Sequence, residues 1–173
     1  MKHSPAEILE FTITYNQFKG YIYNYISKML NDKEMCFDVV QSVFLKFFEN
    51  FHLIKNKEST KSWLFTTARN EVFSIYRKKK VRKNVFTFED EEELSSNEDN
   101  FSEEIEMKEI KELLQIELDD LPEEQKEIYV LKEYGGLSYK EIAETLGIEE
   151  DLVKSRLYKT RQKLIKRLSK VLK

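Results

Sequence analysis

The chain has 173 residues, with 29 Lys or Arg, 32 Asp or Glu and a formal net charge of -3. Four Gly and two Pro supply few turns or breakers, which excludes a β-sandwich or barrel and any Gly/Pro-rich disordered class. One Cys excludes a disulfide framework and a Cys-based zinc site.

No stretch approaches about 18 uncharged apolar residues, so no membrane span is expected. The N-terminal MKHSPAEILEF has no apolar signal core and carries acids, which points to a cytoplasmic chain. The small net charge conceals an asymmetry. Cations exceed acids by seven over residues 1–88, acids exceed cations by ten over 89–109, and the two balance over 110–173. Residues 154–173 hold nine cations and no acid. Two basic regions separated by an acidic tether suit nucleic-acid binding, because cations facing phosphates release counterions. A solvated helix face is the ordinary account of a charge run, so the motifs within these regions have to decide.

Residues 15–30 place Phe18, Tyr21, Ile22, Tyr25, Ile26 and Met29 at steps of three and four, one face of a helix. His3 falls at a frayed terminus. Residues 35–49 repeat the pattern with Val39, Val40, Val43, Phe44, Phe47 and Phe48. Residues 50–58 read as a loop, with Ser59 or Thr60 as the cap of a third helix. That helix carries Trp63, Leu64, Thr67, Ala68, Val72, Ile75 and Tyr76 before it runs into RKKKVRK. Its aromatics Trp63, Phe65, Phe73 and Tyr76 are mostly core. Arg69, Asn70, Arg77, Lys78, Lys79 and Lys80 are harder to explain by packing, and they could track phosphates beside stacked bases. Residues 87–106 are polar and like-charged and read as a flexible linker, with helix resuming near Ile105.

Residues 110–134 are predicted helical, restarting at Leu121-Pro122, with Pro122 at a first helical position and Gly135-Gly136 as the stop. Ser138 and Glu141 form an S-x-x-E capping box for a short helix that ends at Gly147. A long basic helix follows, with Val153, Leu157, Leu164 and Leu168 inward. A short helix, a Gly turn and a basic helix make a helix-turn-helix. At 100° per residue, Ser155, Tyr158, Lys159 and Gln162 fall opposite the buried side, flanked by Lys154, Arg156, Arg161 and Lys163. These are the donors that a major-groove helix presents to base edges and phosphates. His52 and Cys36 lack partners for a metal site or a nucleophile, so no metal, cofactor or catalytic residue is expected.

Three segments together resemble the extracytoplasmic-function (ECF) group of bacterial RNA polymerase sigma factors. CFDVVQSVFLKFF is similar to that family's region 2 helix. KSWLFTTARNEVFSIYRKKK resembles its promoter-melting helix. The stretch from LDDLPEEQKEIYVLKEYGG to YKTRQKL resembles region 4, in the family's order. The resemblance implies an all-α fold of two small helical domains: region 2 over 1–86, an acidic flexible linker over 87–109 and region 4 over 110–173.

It implies that Asp38, Val39, Gln41, Ser42, Phe44 and Leu45 dock on the polymerase clamp. The loop from Phe51 to Ser59, including Asn56, together with Trp63 and Asn70, would hold a base flipped from the melted minus-10 strand. Arg69, Arg77, Lys78, Lys79 and Lys80 would hold its phosphates. Lys154, Ser155, Arg156, Tyr158, Lys159 and Gln162 would read the minus-35 duplex, in agreement with the helical wheel. Implied partners are core polymerase, promoter DNA and the family's anti-sigma factors; no enzyme activity is implied. Phe37 and Ser42 stand where the family often has Glu. Glu150, Asp151 and Leu152 stand where it often has small or hydroxyl residues. A self-sufficient dimeric helix-turn-helix regulator remains the alternative.

Overall fold

A computed structural model describes residues 3–54, 56–85 and 102–172, and every regular element among them is helical. Helix α1 spans Pro5–Met29, α2 Lys33–Asn50 and α3 Lys57–Val85, with a single 3-10 turn over Phe51–Leu53 between the last two. The second group comprises α4 (Ser102–Asp119), α5 (Glu123–Glu133), α6 (Tyr139–Leu146) and α7 (Glu150–Val171). The acidic linker expected over 87–109 lies outside the described residues up to 101, and α4 already occupies its C-terminal part.

Helix α1 starts ten residues before the predicted boundary at Tyr15, because Ser4 and Glu7 close a reciprocal capping box around Pro5. His3 is not frayed. Its ring centroid lies 4.2 Å from that of Phe48. The Asp32 side chain accepts from the Met35 N–H and starts α2. Helix α3 begins at Lys57 rather than after Ser59 or Thr60, since Asn56 Oδ1 accepts from the Glu58 N–H at 3.1 Å. Pro122 stands one position ahead of its expected place, at the N-cap of α5, where its carbonyl accepts from Gln125 and Lys126. Both glycine stops form as expected, with Gly136 at φ 68° and Gly147 at φ 65°.

Ile22, Tyr25 and Ile26 of α1 pack on Val43 and Phe47 of α2 and on Leu64, Phe65 and Ala68 of α3. Tyr21, expected on that buried face, is half exposed. The same core continues without a break into Ile128, Leu131 and Leu137 of the second group, and through Ile142 to Val153 and Leu157. Burying each such aliphatic or aromatic side chain contributes about 1.5–3 kcal/mol. The two groups therefore share an apolar interior as well as polar bonds. Leu118, Leu121 and Leu164 make a smaller core where α4 meets α7.

Candidate nucleic-acid and polymerase interfaces

The α6–α7 pair has the helix-turn-helix form. Ser138 Oγ accepts from the Glu141 N–H while the Glu141 carboxylate accepts from the Ser138 N–H at 2.7 Å, so the eight-residue α6 is closed at its start. Gly147 turns the chain, and Ile142, Ala143, Val153 and Leu157 are buried between the two helices. Opposite them Ser155, Tyr158, Lys159 and Gln162 are exposed, with Tyr158 at 65%. None of these four forms an ion pair among the described residues. Lys154 lies 3.3 Å from Glu150, and Arg156 lies 3.7 Å from Glu124. Arg161 donates from Nε to Glu133 at 3.1 Å, which raises its pKa and fixes its fork on α5. The outer face is therefore open along its centre and tied to acids at its flanks; Glu150 is a local i, i+4 partner of Lys154, whereas Glu124 and Glu133 lie on α5 and are remote in sequence.

On the side of α6 that faces α3, α3 and the turn before it border an open cavity of about 610 Å³. Asn56, Ser59, Trp63, Thr66 and Asn70 line it, and Glu144 of α6 adds a carboxylate. Asn56, Glu58 and Ser59 of the expected loop thus face one space with Trp63 and Asn70. Trp63 lines this space and also packs on the core, with its ring 5.7 Å from that of Phe47. Phe65 is fully buried, and the Tyr76 hydroxyl donates to the Met29 carbonyl, so both are structural.

Arg77, Lys78, Lys79 and Lys80 are exposed along the end of α3. Arg69, expected to meet phosphate, is already engaged. Its Nε lies 2.6 Å from Glu127 Oε1 on α5, and its guanidinium covers the Phe73 ring at 4.8 Å. Glu127 is 2% exposed and also accepts from the Tyr25 hydroxyl at 3.3 Å. Burial raises the pKa of its carboxyl above the ordinary value, against the lowering by Arg69 and Tyr25. Burial and the neighbouring Glu127 charge also push the Tyr25 hydroxyl well up.

Helix α2 corrects the expected clamp-docking set. Val39 is 5% exposed and Phe44 4%, so both belong to the core and cannot touch a partner. Asp38, Gln41 and Leu45 are exposed, and Ser42 is partly so. Phe37, noted only for departing from the family pattern, joins Gln41 and Leu45 as an exposed i, i+4, i+8 stripe. Cys36 is buried and donates to the Leu30 carbonyl at 3.3 Å; burial pushes its thiol up to about 11, the profile of a packing residue. Among the described residues no cluster of His, Cys, Asp or Glu could hold a metal, and no helix is long and apolar enough to cross a membrane.

Two family models match this chain. Sigma-70 region 2 matches residues 14–82, and sigma-70 region 4 matches residues 111–164. RNA polymerase sigma factor SigZ of Bacillus subtilis is 32% identical over 153 residues, 87% of this chain and 82% of the relative. The chain belongs to the ECF group of RNA polymerase sigma factors. ECF RNA polymerase sigma factor SigM of Bacillus subtilis is 31% identical, over 87% of this chain and 90% of its own. A solved structure of the sigma factor RpoE in complex with the anti-sigma factor NepR from Bartonella quintana superposes with a TM-score of 0.74. It covers 92% of this chain and 97% of that one, at 21% identity, a likeness of fold. Sigma factor regions in both halves of one chain disfavour the self-sufficient dimeric regulator.

Proposed function

We propose that this sigma factor directs core RNA polymerase to promoters through two readers of different kinds, each within its own domain, residues 1–86 and 110–173. The outer face of α7 reads minus-35 duplex in the major groove. Ser155, Tyr158, Lys159 and Gln162 approach base edges, and Lys154 and Arg156 reach phosphates once released from Glu150 and Glu124. The cavity beside α3 takes a base from the melted minus-10 strand, with Trp63 as a stacking surface and Asn56 and Asn70 as hydrogen-bonding groups. Arg77, Lys78, Lys79 and Lys80 neutralise the backbone beside it. Extruding a base costs on the order of a few kcal/mol, offset by stacking and hydrogen bonds in the cavity. The exposed stripe of α2 meets the polymerase. The chain performs no chemistry of its own, and it works in the cytoplasm with the polymerase.

One observation carries this reading: the four outward residues of α7 are exposed and, among the described residues, form no ion pair, while the helix is anchored behind by Val153, Leu157 and Leu164. Holding both readers on one polymerase raises their effective concentration, a gain that reaches about 10²–10⁴ in linked binders. The test is run-off transcription with core polymerase and a promoter library. Ser155→Ala and Lys159→Ala are expected to change which minus-35 sequences are used, by about 1–3 kcal/mol of discrimination for a bidentate base contact. Pull-down of polymerase should be unchanged. An unaltered promoter profile in both variants would refute the assignment.

A further inference from the structure

Glu150, Asp151 and Leu152 open α7, and none of them is among the proposed minus-35 contacts. Their surroundings differ. Glu150 lies 3.3 Å from Lys154, one turn further on. Leu152 is apolar, so this turn has no cation to hold a phosphate. Asp151 is exposed and, among the described residues, forms no ion pair and no side-chain hydrogen bond. At 100° per residue from buried Val153, Asp151 falls at about 160°, between Tyr158 at about 140° and Gln162 at about 180°, with Ser155 at about 200°. It therefore lies on the central line of the outward face and not on a flank. It extends that line towards the helix start, the end that a recognition helix carries to the base edges.

The helix dipole accounts for an acid in the first turn, and Glu150 already supplies one. It does not account for an unpaired acid in line with the donors that face DNA, where phosphates on both sides of the groove repel a carboxylate. Exocyclic amines are the groups in that groove that attract it. Cytosine donates there from N4 and adenine from N6, whereas guanine presents acceptors, and thymine an acceptor and a methyl group. Adenine N7 stands beside its amine and repels a second acceptor. Cytosine offers a donor with no acceptor next to it on the same base.

We propose that Asp151 is a specificity-determining residue of the minus-35 face: its carboxylate accepts from the N4 amine of one cytosine and rejects bases that turn an acceptor towards it. The assignment rests on the minus-35 reading of α7 made above. Ser155 stands four residues further along, about 6 Å at 1.5 Å per residue, so the cytosine lies within about two base pairs of the position that Ser155 governs.

The test is run-off transcription by core polymerase with the full chain, over a promoter library randomised across the minus-35 element and read by sequencing the transcripts. The wild type is expected to favour cytosine about fivefold or more at one position, the lower end of discrimination by a good base contact. Asp151→Asn replaces one carboxylate oxygen by an amide nitrogen, which makes the pair of groups that matches adenine N6 and N7. It is expected to move that one position from cytosine to adenine, while every other position keeps its preference. Asp151→Ala should flatten the same position. Thermal denaturation of both variants checks that they remain folded.

An unchanged cytosine preference in Asp151→Asn and Asp151→Ala, or one common factor on the use of all promoters, overturns the assignment and leaves the acid a role at the helix start. So does a wild type without a cytosine preference within two base pairs of the position altered by Ser155→Ala. In each of these cases Ser155→Ala and Lys159→Ala still shift their own positions, and the minus-35 reading stands. A promoter profile unaltered in all four variants overturns both.

Discussion

Gly147 and Gly135 are small for different reasons, and substitution separates them. Gly147 has φ 65° and open space where a Cβ would stand. Gly147→Ala therefore adds only backbone strain, about 1 kcal/mol, and should lower the urea midpoint slightly without altering the seam between the helix groups. At Gly135 a Cβ would lie 2.8 Å from the Leu131 carbonyl oxygen and 3.0 Å from the Phe65 ring. Gly135→Ala must displace backbone or a fully buried ring, a cost of about 1–3 kcal/mol. Equilibrium urea unfolding of the two variants should place Gly135→Ala below Gly147→Ala; the reverse order would mean that the seam is loose. Gly147 was legible in the sequence as a helix stop, because the stop is local. The contact of Gly135 with Phe65 joins distant segments, and nothing in the neighbourhood of either residue signals it.

At the scale of the element, periodicity placed all the helices that later carry the interfaces, because each has one continuous apolar face. Ends were less legible where polar caps compete. Helix α1 was read short because its first turns expose Ile8, Leu9 and Ile13 and so lack an amphipathic pattern, although the Ser4–Glu7 capping box was present in the sequence. The polymerase set on α2 was misread in another way. A motif transferred as a run of neighbours mixes both faces of a helix, since consecutive residues point about 100° apart. Val39 and Phe44 consequently belong to the core, and Phe37, Gln41 and Leu45 to the surface.

The two faces should behave oppositely. Val39→Ala removes two buried methyl groups and is expected to cost about 2 kcal/mol of stability, with polymerase affinity following only the folded fraction. Leu45→Ala should leave stability within about 0.5 kcal/mol and weaken association with core polymerase. Thermal denaturation and a pull-down on the same samples check both. Normal association by Leu45→Ala would remove this face from the docking surface.

For the molecule as a whole, the contact between helix groups was the least legible feature, since it depends on pairs such as Arg69–Glu127 and Lys61–Glu141 that are remote in sequence. Its two acids respond to pH in opposite directions. Burial works against the charged form of Glu141, but the Ser138 N–H and Lys61 outweigh it and hold its carboxyl below the ordinary 4.5, so its contribution is present at neutral pH and lost as pH falls below that value.

Glu127 is held above 4.5 chiefly by burial and slightly by Glu124, against Arg69 and Tyr25, which favour its charged form. A group with a raised folded pKa contributes stability that is complete below the unfolded pKa and is lost as pH rises through the folded one. At neutral pH, ionised Glu127 is thus a net burden that the Arg69 pair only partly relieves. Glu127→Gln keeps an oxygen for Arg69 and for the Tyr25 hydroxyl but carries no charge to desolvate. Its urea midpoint should equal or exceed the wild-type value at pH 7.5, and the difference should narrow as both are titrated towards pH 4.5. If Glu127→Gln is instead the less stable protein at pH 7.5 and recovers parity in acid, the ion pair outweighs the burial cost, and the seam between the groups is held mainly by charge rather than by its shared apolar core.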